Sequence, residues 1–320
     1  MRQLRFAVPI VGFCSLSAGV GMTWAQDFPS KTVRIVAGAA GGGGDFAARH
    51  VAQRITAGLG QPVIVENKPS AVDSAETVAK APADGYTMLV QGASLWTSGI
   101  LQKFSYDVVR DFAPITMITR EVFIVAVHPS LPVKSIKELV ALAKTKPGQL
   151  DYASGTIGGP PHLGAELIKS MAGVDMLRVP YKSTAPAVIG LLTGEAHVTV
   201  ADIALIVPHA KSGKLRSLAV TSPDPSALTP GLPTVSASGL PGYEVVGGSG
   251  IWAPAKTPAA IVARLNQEMV RSLNSAESKE RLLSAQTELV ANSPEQFAAH
   301  IKNDLAKWTK VIKDAGIKVN

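Results

Sequence analysis

Along this chain short apolar runs alternate with segments whose apolar residues recur at helical spacing. Strand-like runs at 32–37, 62–66 and 86–90 enclose helix-like runs at 45–58 and about 74–81, the order that predicts a mostly parallel sheet. A further strand over 123–128 ends at Pro129, and Ser135-Ile-Lys-Glu138 reads as a capping box opening a helix that Pro147-Gly148 closes. The alternation resumes with strands at 150–154, 176–180, 196–201 and 215–220 and helices at 161–172, 185–193 and 205–212, a second α/β unit. Proline, serine and glycine dominate 222–242, and a short strand at 243–246 precedes a last helical stretch of about 65 residues. Thr257-Pro258 and Ser293-Pro-Glu-Gln296 are its N-cap signals. Such a tail has little sheet of its own and packs back on the first unit, so the chain crosses between units near 121–128 and 243–250. Two crossings make a hinge over a cleft. The expected organisation is a leader at 1–25, lobe 1 at 27–122 plus 249–320, and lobe 2 at 123–248.

The leader changes the compartment. Arg2 and Arg5 precede an apolar run from Phe6 to Val20, and Thr23-Trp24-Ala25 resembles a small-x-small cleavage site, as in a secretory signal peptide. Its apolar core is shorter than the roughly 20 residues needed to span a bilayer; a retained anchor is the alternative. Cys14 lies inside that core beside the bulky Phe13, so it is a poor lipidation site, and the chain after Ala25 has no cysteine. Loss of the two leader arginines takes the formal charge from +7 to +5, without any basic run. An aromatic content of 5% and dispersed lysines argue against a nucleic-acid surface.

Candidate chemistry gathers at glycine-rich corners. Residues 37–49 place bare glycine backbone where a strand hands over to a helix, a setting in which main-chain N–H groups and the helix dipole meet an anion. Gly42-Gly-Gly44-Asp-Phe-Ala47 also satisfies G-x-G-x-x-A, with Glu66 22 residues beyond Gly44, so a dinucleotide is a rival to a carboxylate. A plain turn with Asp45 as N-cap is the third reading; Asp45 would repel a carboxylate beside it unless it faces away or meets an ammonium or hydroxyl. A second corner, Ser154-Gly-Thr-Ile-Gly158-Gly-Pro-Pro-His162, repeats the architecture, and Tyr181-Lys-Ser-Thr-Ala-Pro-Ala187 supplies another. Two such corners facing one cleft suit the two ends of a dicarboxylate.

These segments, in this order, resemble the periplasmic solute receptors of tripartite tricarboxylate transporters, the Bug receptors, over essentially the whole chain after the leader. Phe28-Pro-Ser-Lys, Gly44-Asp45 with Ala48-Arg49, Val65-Glu-Asn-Lys-Pro69, Asp84-Gly-Tyr-Thr-Met-Leu89, Tyr106-Asp107, Asp111-Phe-Ala-Pro114, the 154–166 corner and Val179-Pro-Tyr-Lys182 carry the likeness. The resemblance implies an α/β, two-lobed periplasmic-binding-protein fold of type II, two mostly parallel sheets joined by a two-stranded hinge. It implies a receptor that binds a small organic acid through backbone amides, without cofactor, metal or catalysis, and delivers it as a monomer to membrane transporter subunits or to a sensor protein. By motif it points to Ala40, Gly41, Gly42, Gly43, Gly44 and Asp45 in the first lobe. In the second it points to Ser154, Gly155, Thr156, Gly159 and His162, to Lys182, Ser183, Thr184 and Ala185, and to Asp202.

The chain also departs from the family's pattern. Ser70-Ala-Val-Asp-Ser74 has no glycine where the family has a glycine-rich loop, Ser183 replaces a glycine, and Gln91-Gly-Ala-Ser94-Leu-Trp96 brings a tryptophan near the cleft mouth. Ser94 belongs with the candidate ligand residues; Trp96 either stacks on the ligand or is core. Gly92-Ala-Ser94-Leu-Trp96 fails as a nucleophile elbow at its last position. The six histidines are too dispersed for a zinc site. A secreted enzyme centred on His162 and Ser154 is the alternative function, and Glu121 with Glu166 its only candidate acid/base pair.

Overall fold

The computed structural model describes residues 28–41, 43–314, 316 and 317; the expected leader and Gly42 lie outside the described residues. The first half runs β1 (Val33–Ala37), α1 (Gly43–Leu59), β2 (Val63–Asn67), α2 (Ala71–Ala79) and β3 (Thr87–Gly92). Two short helices, α3 (Ser94–Leu101) and α4 (Val108–Asp111), lead to β4 (Phe112–Val127). Lobe 2 continues with α5 (Ile136–Thr145), β5 (Asp151–Ser154), α6 (Pro160–Ala172), β6 (Leu177–Pro180), α7 (Thr184–Leu192), β7 (Val198–Asp202), α8 (Ile203–Lys211) and β8 (Arg216–Val220). The chain returns through β9 (Val246–Pro254) to α9 (Ala259–Leu273), α10 (Ala276–Ser284), β10 (Glu288–Leu289) and α11 (Pro294–Asp314).

β4 makes one molecule of two sheets. Its residues 112–122 pair antiparallel with β9, which itself lies against β3, while β1 pairs in parallel with both β2 and β3. Its residues 123–127 then run antiparallel between β7 and β8, and β5 pairs in parallel with β6 and β7. The register slips twice against β9, between Pro114 and Thr116 and between Met117 and Thr119. A proline lacks the N–H a ladder needs and bulges bend a strand, so β4 is curled as it approaches the second sheet.

Helices cover both faces of each sheet, which is why β1 and β3 are buried almost throughout instead of alternating. On one face of the first sheet Ile35, Ile55, Met88 and Leu265 pack between α1 and α9; on the other Trp96, Trp252 and Phe297 pack beneath α3 and α11. α11 spans both lobes: Phe297 and Ile301 belong to the first core, Trp308 and Ile312 to the core of lobe 2 with Tyr152, Leu163 and Tyr243. The helix is therefore a third link beside the two strand crossings.

Candidate functional site

Three segments of lobe 1 and one corner of lobe 2 enclose a cavity of about 100 Å³. Its walls are Ala71 and Val72 at the start of α2, Gln91 on β3, Ser94, Leu95 and Ser98 on α3, Gln102, Phe104 and Tyr106 beyond it, and Thr156 from across the cleft. Two helices begin here, and the first N–H groups of a helix have no intrahelical partner, so free donors and positive dipole ends converge on the cavity. Ser70 satisfies one of them, accepting from Asp73 N at 3.1 Å, whereas α3 has no side-chain cap. Among the described residues no lysine or arginine lines the cavity.

Gln91 is 6% exposed, and its Nε2 donates to Ala71 O at 2.9 Å and to Ser74 Oγ at 2.6 Å. A carbonyl oxygen only accepts, which fixes that end of the amide as nitrogen. Oε1 is left without a partner among the described residues, on a side chain that lines the cavity. Phe104 and Tyr106 stack with centroids 5.2 Å apart and planes 3° from parallel. Burial, with Glu76 nearby, pushes the Tyr106 hydroxyl up to about 12, so it is neutral.

The lobes touch beside this cavity. Thr97 Oγ1 donates to Gly158 O at 2.6 Å and Ser98 Oγ to Ile157 O at 2.8 Å. Gly158 has φ +73°, and a Cβ there would lie 2.7 Å from Ser98 Cα, so only glycine permits the approach. The corner itself is braced from behind. Gly158 N donates to His162 Nδ1 at 3.1 Å, Arg178 Nε to Ser154 Oγ at 2.7 Å and Arg178 Nη2 to Gly155 O at 2.8 Å. Gly155 lies against the start of α7, where a Cβ would be 2.5 Å from Ser183 C and 2.6 Å from Thr184 N. Burial, aided by the Arg178 charge, pushes the His162 imidazole down to about 4, so it is neutral and able to accept.

Of the residues singled out from sequence, Ser94 and Thr156 are cavity walls. Ala40, Gly41 and Gly43 are exposed and Gly44 partly buried, in a loop that abuts the start of α2, a Cβ on Gly38 falling 3.7 Å from Ala71 N. Asp45 is in the first turn of α1 and not at its N-cap: Oδ2 accepts from Gly41 N at 3.0 Å, Oδ1 from Asn67 Nδ2 and Arg49 Nε, both at 2.9 Å. Burial works to raise its pKa, but these hydrogen bonds outweigh it and hold the carboxyl below its usual range. Its acceptors are thus spent inside the loop.

The second corner differs from expectation in its donors. Gly159 caps α6, but Pro160 and Pro161 follow, so the first two positions of that helix offer no N–H. The amides of Gly155, Thr156 and Ile157, without partners among the described residues, stand in their place. Ser183 caps α7 without a side-chain hydrogen bond, ahead of Thr184; Lys182 and Ala185 are exposed. Trp96 is core: it is 1% exposed, its Nε1 donating to Asp304 Oδ2 at 2.7 Å.

Asp202 caps α8 without a side-chain hydrogen bond, opposite Phe123 where β4 enters the second sheet. Burial and the Asp202 charge push Glu121 up to about 7 despite a hydroxyl donated by Ser249 at 3.0 Å; burial raises Asp202 as well. Glu166 accepts from Tyr152 and from Lys169 and lines a recess of about 910 Å³ with His162 and Arg178, a recess to which Glu121 does not contribute. That recess is larger than the cleft cavity, yet its walls come only from lobe 2 and the end of the chain, at 314, 316 and 317. Two helix starts of lobe 1 and an amide-rich corner of lobe 2 meet at the smaller cavity, which makes it the better candidate site of the two. Phe104 and Arg178 lie in no stretch singled out from the sequence, whereas Gln91 and Tyr106 lie in the 91–96 stretch and the Tyr106-Asp107 pair, which marked a departure from the family and a likeness to it without a ligand role.

Two α/β lobes strung on one long strand, with an amide-rich cavity between them, define a solute receptor of the periplasmic binding type. The family model of the tripartite tricarboxylate transporter family receptor matches residues 47–317, and the chain belongs to that family. Protein BugT of Bordetella pertussis is 29% identical over 97% of each chain. The R. palustris protein Rpa4515, solved with adipate, is 34% identical with a TM-score of 0.84 over 91% of this chain and 99% of its own. MatC of Rhodopseudomonas palustris, with bound malate, is 27% identical with a TM-score of 0.80 over 89% and 100%. The protein is a receptor of the tripartite tricarboxylate transporter family and not an enzyme, which sets aside the dinucleotide reading of the glycine loop and the catalytic reading of His162 and Ser154.

Proposed function

We propose that the mature chain, freed of residues 1–25, works in the periplasm as a monomer that traps a di- or tricarboxylate between lobe 1 (27–122 plus 249–320) and lobe 2 (123–248). The observation that carries this is the convergence of the α2 and α3 starts with the Thr156 corner on one cavity. One carboxylate takes the free amides of the two helix starts, the other the amides of Gly155 to Ile157, with Ser94, Thr156 and Thr184 hydroxyls adjusting the fit. The 40–45 loop is the rim next to α2, Lys182, Ser183 and Ala185 lie on the lobe 2 side of the entrance, and Asp202 lies beside Glu121 where β4 passes between the lobes. The Thr97 and Ser98 contacts exist only when the lobes are together, so ligand and latch favour the same closed form. That form is what the membrane subunits of the transporter, or a sensor protein in their place, recognise. The acids adipate and malate, bound by relatives of the same fold, support the ligand class.

A thermal-shift screen of the ligand-stripped mature protein tests the reading. A matching acid at a hundred times its Kd adds roughly 2.7 kcal/mol and raises Tm by several degrees. Stabilisation by carboxylates and none by NAD is the expected result; stabilisation by NAD alone would overturn it.

A further inference from the structure

We infer that Arg178, which is no part of the cavity wall, supplies the countercharge for the ligand's carboxylate by holding the Gly155–Thr156 peptide with its N–H turned into the cleft; this rests on the receptor reading of the interlobe cavity. Arg178 stands in the recess behind the corner, whereas Thr156 is a wall of the cavity. The carbonyl end of the peptide that joins Gly155 to Thr156 accepts from Arg178 Nη2 at 2.8 Å. In a trans peptide the C=O and the following N–H point in opposite directions. Thr156 N–H therefore faces away from Arg178, and it has no partner among the described residues.

The next peptide but one shows the same arrangement with both ends filled. Gly158 N donates back to His162 Nδ1, also in the recess, at 3.1 Å, and the carbonyl of that same peptide, Ile157 O, accepts from Ser98 Oγ of lobe 1 at 2.8 Å. A side chain behind the corner thus fixes one end of a peptide and aims the other across the cleft. At 157–158 the aimed end meets the other lobe; at 155–156 it is left for a ligand. Arg178 also brings a charge. Its Nε donates to Ser154 Oγ at 2.7 Å, and it makes no ion pair among the described residues, Glu166 of the same recess being held by Lys169 and Tyr152. Since no lysine or arginine among the described residues lines the cavity, an anion at Thr156 N–H has Arg178 as a cation one peptide away. A guanidinium bonded to the carbonyl polarises the peptide and strengthens the N–H at its other end.

The test is calorimetric titration of the ligand-stripped mature protein and two variants with succinate, adipate, malate and citrate. Arg178→Gln keeps a donor but removes the charge, and the tightest of these acids should bind about tenfold more weakly, the effect of a full charge acting in a partly screened setting. Arg178→Lys keeps the charge and loses only the fork, so affinity should stay within about threefold. Added salt should weaken binding to the native protein and much less to Arg178→Gln, a difference that a purely structural brace would not produce. In the native protein, independent of either variant, the Thr156 amide proton should move downfield on binding, as a donor to a carboxylate does. Equal losses in both variants, unchanged affinity in Arg178→Gln, or a Thr156 amide that the acid leaves unmoved would overturn the inference while leaving the receptor reading intact. Failure of all four acids to bind the native protein would overturn both.

Discussion

The two glycine-rich corners look alike in sequence and differ in what holds them. At the first, the loop ahead of α1 is tied by one buried carboxylate, Asp45, to Gly41, Asn67 and Arg49, and a Cβ added to Gly43 or Gly44 meets nothing within 4 Å. At the second, Arg178 and His162 brace the turn from behind, Gly155 touches the α7 backbone, and Gly158 touches Ser98 of the other lobe. The first corner has room around it, as a rim does; the second is wedged between two lobes, as a latch must be. A run of glycines therefore signals chain conformation, and only its neighbours decide whether it moves, binds or locks.

The sharpest way to break the comparison is an added methyl. Gly155→Ala puts Cβ within 2.6 Å of backbone on α7, where nothing flexible can give way. Overpacking of this kind costs about 3 kcal/mol, readable as a lowered urea midpoint. Gly44→Ala, with open space around it, should move that midpoint far less. Equal effects would mean that the corners are mechanically equivalent.

Acid separates them by nearly as much. The His162 imidazole titrates at about 4 in the folded protein against 6.5 ordinarily, so the unfolded chain binds the extra proton first and stability falls as pH drops through that window. The loss reaches up to about 3 kcal/mol, and the corner loses its acceptor for Gly158 N. Asp45 has the same sign in a lower window: its carboxyl is held below 3.8, so its contribution persists above that value and is lost only at lower pH. Glu121, raised to about 7 from 4.5, stabilises at low pH and loses that effect as pH rises between the two, masking part of the His162 slope. Denaturation from pH 4 to 7 should give a steeper acid loss in Glu121→Gln and a shallower one in His162→Asn. Identical profiles for all three proteins would refute the assignment.

Much of the fold was legible because the α/β alternation repeats short apolar runs between capped helices, and β5 to β8 fall where the pattern put them, whereas β9 runs over 246–254 where a strand at 243–246 was expected and β10 was not expected. The first half of β4 was not, since Pro114 and two bulges break its periodicity, and α3 was not, since Ser94-Leu-Trp-Thr-Ser-Gly-Ile-Leu101 shows no polar face to a reader of sequence. The missed α3 carries Thr97 and Ser98, which touch lobe 2 beside the cavity. The cavity wall was illegible for a related reason: Gln91, Phe104 and Tyr106 come from separate segments and meet only through the packing of α2 on α3. Motifs mark backbone that must be special, whereas specificity resides in ordinary side chains.

Removing the latch hydroxyl is a smaller change. Thr97→Val keeps shape and volume but deletes the donor to Gly158 O at 2.6 Å, in a residue with no exposure. A hydrogen bond of this sort contributes about 1 kcal/mol. Because it forms only on closure, the loss should appear as about fivefold weaker ligand binding, with the melting temperature of the ligand-free protein nearly unchanged. A drop in ligand-free stability without a change in affinity would make Thr97 structural.

The smallest expected effect lies at the first corner. Asn67 Nδ2 bridges Gly38 O and Asp45 Oδ1 at 2.8 and 2.9 Å, yet Asp45 keeps Gly41 N and the Arg49 guanidinium when Asn67→Ala removes that bridge. The partly exposed bond should cost about 0.5 kcal/mol of stability. Its effect on affinity is the informative quantity. If the 40–45 loop is a rim, loosening it changes how the ligand enters and leaves, so association and dissociation rates shift together and Kd holds within about twofold. A tenfold weaker Kd, with association unchanged, would instead make the loop a wall of the closed site and the two corners equal partners in binding.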